Sequence, residues 1–155
     1  MIRRGSLIIE VLLSAGLIAV FALFLSGLLV VTSKTNRLAK EESQAAAYAQ
    51  QNMEQLVAIK NTKWSDLSTG TFYISKSGPT SYGLNATPTG DTLDGLYHRL
   101  ITITEVRRDA SQNIVTTGGT VNGKSLQANV TVSWSDNGNH QVMLVNYFTN
   151  WKDLP

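Results

Sequence analysis

From Leu7 to Val31 the chain reads LIIEVLLSAGLIAVFALFLSGLLVV, 25 residues with one charge, Glu10. A helix crosses the hydrocarbon core of a bilayer with about 20 mainly apolar residues at about 1.5 Å rise each. A secretory signal has an apolar core of only about 7–15 residues, followed by a small-residue cleavage pattern. This run is longer, and it gives way to Thr32, Ser33 and Lys34 instead. A single membrane-spanning helix over 6–31 is therefore expected. Arg3 and Arg4 precede it, so the positive-inside rule sets the amino terminus in the cytoplasm and the rest of the chain outside. The expected location is the inner (cytoplasmic) membrane, crossed once.

The rest of the composition is of another kind. All three prolines and nine of the twelve glycines lie beyond residue 60, and two different solvents are implied for the two halves. The net charge of +2 comes from 13 basic and 11 acidic residues, with Arg3 and Arg4 among the basic ones. Such a balanced chain is not expected to bind nucleic acid directly. The absence of cysteine excludes a disulfide framework, a thiolate metal site and a cysteine nucleophile.

After the apolar run the sequence turns polar without a helix breaker until about Asn61. Ala39, Ala45, Ala46, Ala47 and Ala49 are strong helix formers. Leu38, Ala45, Ala49, Met53, Leu56 and Ile59 recur at steps of three, four and seven, which gives one apolar stripe. A continuous helix over 7–60 follows, its soluble half at 32–60. Residues 61–155 read as β. Thr71–Ser75 forms a short strand and Leu96–Arg107 a longer one. Residues 77–95, rich in Gly, Pro, Thr, Ser and Asp, form a loop. Leu126, Ala128, Val130, Val132 and Trp134 alternate with polar residues, a half-buried strand, and Gln141–Phe148 returns after the turn at Asp136–Asn139. The fold class expected is α+β, one long helix packed against an antiparallel sheet. The sheet region needs the helix stripe to complete a core, and Trp134 is expected near Met53 and Leu56.

Glu10 is the anomaly in the apolar run. A charged side chain costs about 2.5–3.5 kcal/mol at the bilayer centre and less near the interface. It either snorkels to the cytoplasmic headgroups or neutralises a particular cation within an assembly.

Arg3-Arg4-Gly5, then Ser6-Leu7-Ile8-Ile9-Glu10, then the unbroken apolar run, resembles the type III signal of type IV pilins and type II secretion pseudopilins. In that family a prepilin peptidase cuts a basic leader after a glycine, the new terminal amine is methylated, and a glutamate stands fifth in the mature chain. The resemblance implies cleavage between Gly5 and Ser6, leaving 1–5 as leader, and N-methylation of Ser6. It implies that Arg3 and Arg4 supply the leader charge and that Glu10 sets filament assembly and register. Family members usually begin the mature chain with Phe or Met, where this chain has Ser6. Many carry a proline at its twenty-second position, where this chain has Gly27. The hairpin Val130–Trp134 with Val142–Tyr147 and the helix segment Gln50–Leu56 are similar to minor pilins and minor pseudopilins. The implied partners are the prepilin peptidase, other pilin or pseudopilin subunits, the inner-membrane assembly machinery and membrane lipid.

Little else points to chemistry. His98 and His140 lack a glutamate or cysteine at ligand spacing, and ordinary surface or packed histidines are expected. Asp91-Thr-Leu-Asp94-Gly95 and Asp136-Asn-Gly-Asn139 are oxygen-rich, but neither fits a calcium loop, and turn formation accounts for both. No metal or cofactor is expected. Asn85-Ala-Thr87 and Asn129-Val-Thr131 match the short glycosylation pattern. Trp64, Trp134 and Trp151 read as core or edge residues. No Ser/His/Asp order and no catalytic carboxylate pair is evident, so the expectation is a structural subunit and not an enzyme. The alternative is an uncleaved single-pass anchor carrying an outward binding module.

Overall fold

The computed structural model describes residues 4–78, 81–136 and 138–150, with side chains from residue 8 onward. Helix α1 runs Arg4–Thr62, 59 residues that contain no proline. The chain divides into two compact units, Met1–Glu41 and Glu42–Pro155. The first is the amino-terminal part of α1. The second contains the last turns of α1 and everything after it.

A short 3₁₀ turn at Trp64–Asp66 follows the helix, and seven strands make one sheet. They are β1 (Gly70–Lys76), β2 (Tyr82–Ala86), β3 (Asp91–Leu93), β4 (Tyr97–Arg108), β5 (Ile114–Val115), β6 (Thr120–Ser135) and β7 (Asn139–Thr149). Their order is β2-β1-β4-β6-β7, with β3 and β5 both paired to β4, and every pairing is antiparallel. The fold is α+β, a long amino-terminal helix packed against an antiparallel sheet.

Strand period explains the core. Along β6, Leu126, Ala128, Val130, Val132 and Trp134 are buried and their neighbours are not, as alternation required. On β4, Tyr97, Arg99, Ile101 and Ile103 share the same inner face. Opposite them α1 presents Ala45, Ala49, Met53, Leu56 and Ile59, all buried in one cluster with the sheet residues. Each large aliphatic side chain taken out of water there contributes about 1.5–3 kcal/mol. Leu38, expected in the stripe, is 37% exposed and takes no part in it, because the buried part of the helix begins at Ala45. Trp134 lies in the cluster with Met53 and Leu56, but its ring neighbours are Tyr97 at 5.9 Å and His140 at 5.3 Å. Tyr97 in turn meets Tyr48 of α1 edge-on at 5.3 Å.

The ladder between β4 and β6 slips once. Glu105 pairs with Leu126, but Val106 pairs with Asn122. The slip reverses the alternation, so Glu105 is exposed and Val106, the next residue, is buried. Without it the same strand would carry a carboxylate inward.

Two sequence expectations need correction. Residues 77–95 are not one loop, because β2 and β3 lie within them. Tyr82-Gly-Leu-Asn-Ala86 has no run of β-branched residues; pairing with β1, from Phe72↔Ala86 to Lys76↔Tyr82, makes it a strand. Strand β6 begins at Thr120, six residues before the alternating apolar run, because its first residues pair with β4 and not with the core. Between β2 and β3, Gly90 has φ +77°, and a Cβ there would sit 2.1 Å from the Arg99 carbonyl oxygen, so only glycine fits.

Candidate functional site

The first unit is distinguished by what it leaves uncovered. From Ile8 to Val31 every side chain is exposed, with Leu23 at 75%, Phe24 at 69% and even Val20 at 50%. This is the one helix among the described residues long and apolar enough to cross a membrane. A helix apolar on all sides cannot lie with one face in water, since it has no polar face to offer.

Its hydroxyl residues bond to their own helix, as Thr62 does toward the Ala58 carbonyl at the other end of α1. Ser14 Oγ donates to the Glu10 carbonyl and Ser26 Oγ to the Ala22 carbonyl, each at 2.8 Å. Thr32 and Thr35 do the same toward Leu28 and Val31, at 2.8 and 3.0 Å. A hydroxyl bonded to the carbonyl four residues back needs no water, which removes most of its cost in hydrocarbon. Glu10 has no such local solution: it is exposed, and among the described residues it has no ion-pair partner. The carbonyl that Ser14 engages is Glu10's own, so the carboxylate is the one unsatisfied polar group of this stretch. Arg3 lies outside the described residues, and Arg4, Gly5 and Ser6 are described as helical backbone only.

A second cluster lies inside the other unit. Arg99 is 6% exposed and donates to Asp91 from Nε at 2.7 Å and also from Nη2. It donates further to the Ile74 carbonyl at 2.9 Å and to Asn52 Oδ1. Asn52, itself buried, donates to the Tyr48 carbonyl at 2.6 Å. Tyr48 OH donates to Asp94, and that bond to a carboxylate holds the phenol above its ordinary 10.0. One guanidinium thus joins α1, β1, β3 and β4. Tyr48, Asn52, Ile74 and Arg99 border a cleft of about 320 Å³ that also includes Gln55, Lys76 and Tyr82. Four of the five guanidinium N–H bonds are engaged by the protein, so Arg99 fastens elements together and is not presented to a ligand.

This arrangement accounts for the oxygen-rich segment Asp91–Gly95. Asp91 faces Arg99 and Asp94 faces Tyr48, so both carboxylates have partners. Among the described residues no three His, Cys, Asp or Glu side chains are grouped to hold a metal ion. Asn137, of the second such turn, lies outside the described residues, as does Trp151. His98 and His140, 42 positions apart in sequence, line one open groove of about 650 Å³ with Leu96, Ser133, Trp134 and Gln141. His140 stacks on Trp134 at an interplanar angle of 23°, and His98 is exposed. Asn85 is half-buried and donates to Ser75 Oγ at 2.6 Å.

The Arg99 cluster was not foreseen in the sequence. Its signal is an arginine at an inward position of β4, between Tyr97 and Ile101, facing an asparagine beside the helix stripe. Two polar residues on facing apolar surfaces must find each other or stay out of the core.

Compared with protein-family models, with curated proteins and with solved structures, the chain matches none.

Proposed function

We propose that this protein is a structural subunit of a type IV pilus or a type II secretion pseudopilus. A prepilin peptidase cuts it between Gly5 and Ser6, the Ser6 amine is methylated, and its amino-terminal helix carries it from the inner membrane into a helical filament. The observation that carries the reading is Glu10, the one charged residue between Leu7 and Val31, five residues after Gly5 in a helical stretch that exposes apolar side chains on every side.

In the membrane the apolar stretch is covered by lipid. In a bundle of such helices it is covered by its neighbours, water is excluded, and an unpaired carboxylate is costly. Cleavage creates a positive amine at Ser6. Pairing Glu10 with the amine of an adjacent subunit removes the cost at one axial offset only, so the charge fixes register more than it adds stability. The leader arginines Arg3 and Arg4 keep the cut site at the cytoplasmic face. The prepilin peptidase, the other subunits and the assembly machinery of the inner membrane are the partners this reading requires.

Intact mass of the protein extracted from membranes of its own host is the test. The expected species begins at Ser6 and carries one added methyl group. A chain that retains Met1 to Gly5 sinks the proposal and favours the uncleaved membrane anchor with an outward β module.

A further inference from the structure

Among the described residues no strand pairs with the outer side of β7, and nothing in its sequence protects that edge. Natural edge strands are kept from pairing by charge, proline, a bulge or short length. The outer strands on the far side of β4 are short, with five residues in β2, three in β3 and two in β5. Strand β7 is 11 residues long, its register with β6 runs without a bulge, and from Asn139 to Asn150 there is no Lys, Arg, Asp, Glu or Pro. Every second residue of such an edge points its N–H and C=O away from the sheet. On the face turned away from the helix, β7 exposes Met143 at 56%, Val145 at 47% and Tyr147 at 46%. On the other face Val142 and Leu144 are only half-buried against the core. A free ladder edge with apolar side chains on both faces is a template for one more strand.

We propose that β7 takes up an extended, uncharged segment of another polypeptide as an added strand. The backbone edge calls for a strand. The lack of charge along β7 selects a neutral one, since a charged segment would lose hydration there and meet no counter-charge. Its outward side chains meet Met143, Val145 and Tyr147, and its inward ones extend the core beside Val142 and Leu144. A second copy of this chain is poorly placed to supply it. Tyr48 of α1 meets Tyr97, which meets Trp134 and through it His140, whereas Lys60 lies over Phe148, so α1 and β7 run in the same direction. Pairing β7 antiparallel with the β7 of a copy would reverse α1 as well, and two chains held in one membrane by their amino-terminal runs cannot oppose their helices. Pairing it parallel needs a half-turn about the strand axis, which sets the helices on opposite faces and the alternating side chains out of phase. Copies with helices and faces alike offer β3 or β5 antiparallel to β7, or β2 parallel to it, and none exceeds five residues. A segment of a different polypeptide is bound by none of these limits. The site lies in the sheet unit. It rests on membrane anchoring, which the filament reading shares with its rival, and requires neither cleavage nor Glu10.

The full-length protein, reconstituted in lipid vesicles, is titrated with a fluorescent peptide of the sequence Gln141–Thr149. That peptide is neutral, alternates as β7 does and has no anchor, so it can pair antiparallel with its own central valine opposite Val145. Saturable binding is expected, with a peptide of the same composition in scrambled order about tenfold weaker. Val145→Lys should weaken binding about tenfold, since lysine on an edge strand blocks a further strand. Val145→Thr, neutral and β-branched, should bind as the parent does, which separates a blocked edge from a damaged fold. The chain has no cysteine, so one introduced cysteine reports on one position. A peptide with cysteine at its centre should form a disulfide with Val145→Cys about tenfold faster than with Glu105→Cys, an exposed position on β4. No saturable binding, or equal binding by the scrambled peptide or by Val145→Lys, would overturn the proposal. So would disulfide-linked pairs of Val145→Cys chains forming without peptide as fast as the peptide adduct forms, which would make a second copy the occupant.

Discussion

Asp91 and Arg99 are directly opposed across the β3–β4 ladder, and their side chains close an ion pair with Nε to Oδ1 at 2.7 Å. The Arg99 side chain is 7% exposed and that of Asp91 26%, so the pair is largely sheltered from solvent. Backbone register alone brings the two charges together, and Gly90 lets the chain approach the Arg99 carbonyl closely enough for the turn to form. The guanidinium then reaches Asn52, 47 positions earlier in the chain.

Removing one partner of a sheltered pair leaves the other charge without compensation. Asp91→Asn is expected to lower the unfolding free energy by about 3 kcal/mol, and Arg99→Met by less than that, since the charge then left unpaired is Asp91, 26% exposed, and not the buried guanidinium. Urea unfolding of the sheet unit measures both. Equal stability of Asp91→Asn and the parent would show that the pair contributes nothing.

Trp134→Ala should cost about 3–5 kcal/mol, since the ring is 5% exposed and packs between Tyr97 and His140. Thermal melting of the variant tests this, and an unmoved transition would contradict the packing described.

A fragment comprising 42–155 should fold alone. The core begins at Ala45, and no residue of the first unit belongs to it. A cooperative unfolding transition and a far-ultraviolet spectrum of mixed helix and strand are expected; a chain without a transition would mean that the earlier helix is needed.

Stability should fall at both ends of the pH scale, for reasons that can be separated. Tyr48 is held protonated by its bond to Asp94, so its folded pKa lies above the ordinary 10.0. That contribution is fully present below pH 10 and is lost as the pH rises through the folded value; Tyr48→Phe should remove this alkaline limb. Asp109 accepts from the backbone N–H groups of Asn113 and Ser111, each at 2.9 Å, which holds its carboxyl below 3.8. Its contribution is present above that value and is lost as the pH falls through the lowered one, and Asp109→Asn should flatten the acid limb. Denaturant midpoints across pH for the two variants are the measurement.

Glu10→Gln should insert into the membrane as the parent does, yet be recovered poorly with the other subunits when filaments are sheared from cells. Recovery equal to that of the parent would leave Glu10 as a residue that merely reaches the headgroups.

The parts of the fold legible in sequence were those where one periodicity ran long enough to dominate. The stripe from Ala45 to Ile59 and the alternation from Leu126 to Trp134 each determine which residues face inward with no help from the rest of the chain, and the apolar run marks a helix that is apolar on every side. The unread parts are those that depend on a partner. Strand β2 exists because β1 is beside it, and β5 is two residues long and needs β4. Arg99 and Asn52 were invisible as a pair because their meeting depends on how the helix lies over β4, which no local pattern encodes. The proposed leader and cut site rest on a motif alone, and Glu10 stands out only as an exception to its surroundings.

The inward stripe of α1 is made early and covered late. Ile59 and its last neighbour in the core, Phe148, are separated by ~90 residues of chain, which a ribosome adds at about 5–20 residues per second. For roughly 5–20 seconds, then, Ala45, Ala49, Met53, Leu56 and Ile59 have no sheet to lie against, because β6 and β7 are the last strands to emerge. Synthesis of this chain therefore includes a stage in which the helical stripe is complete and the strands that cover it are not.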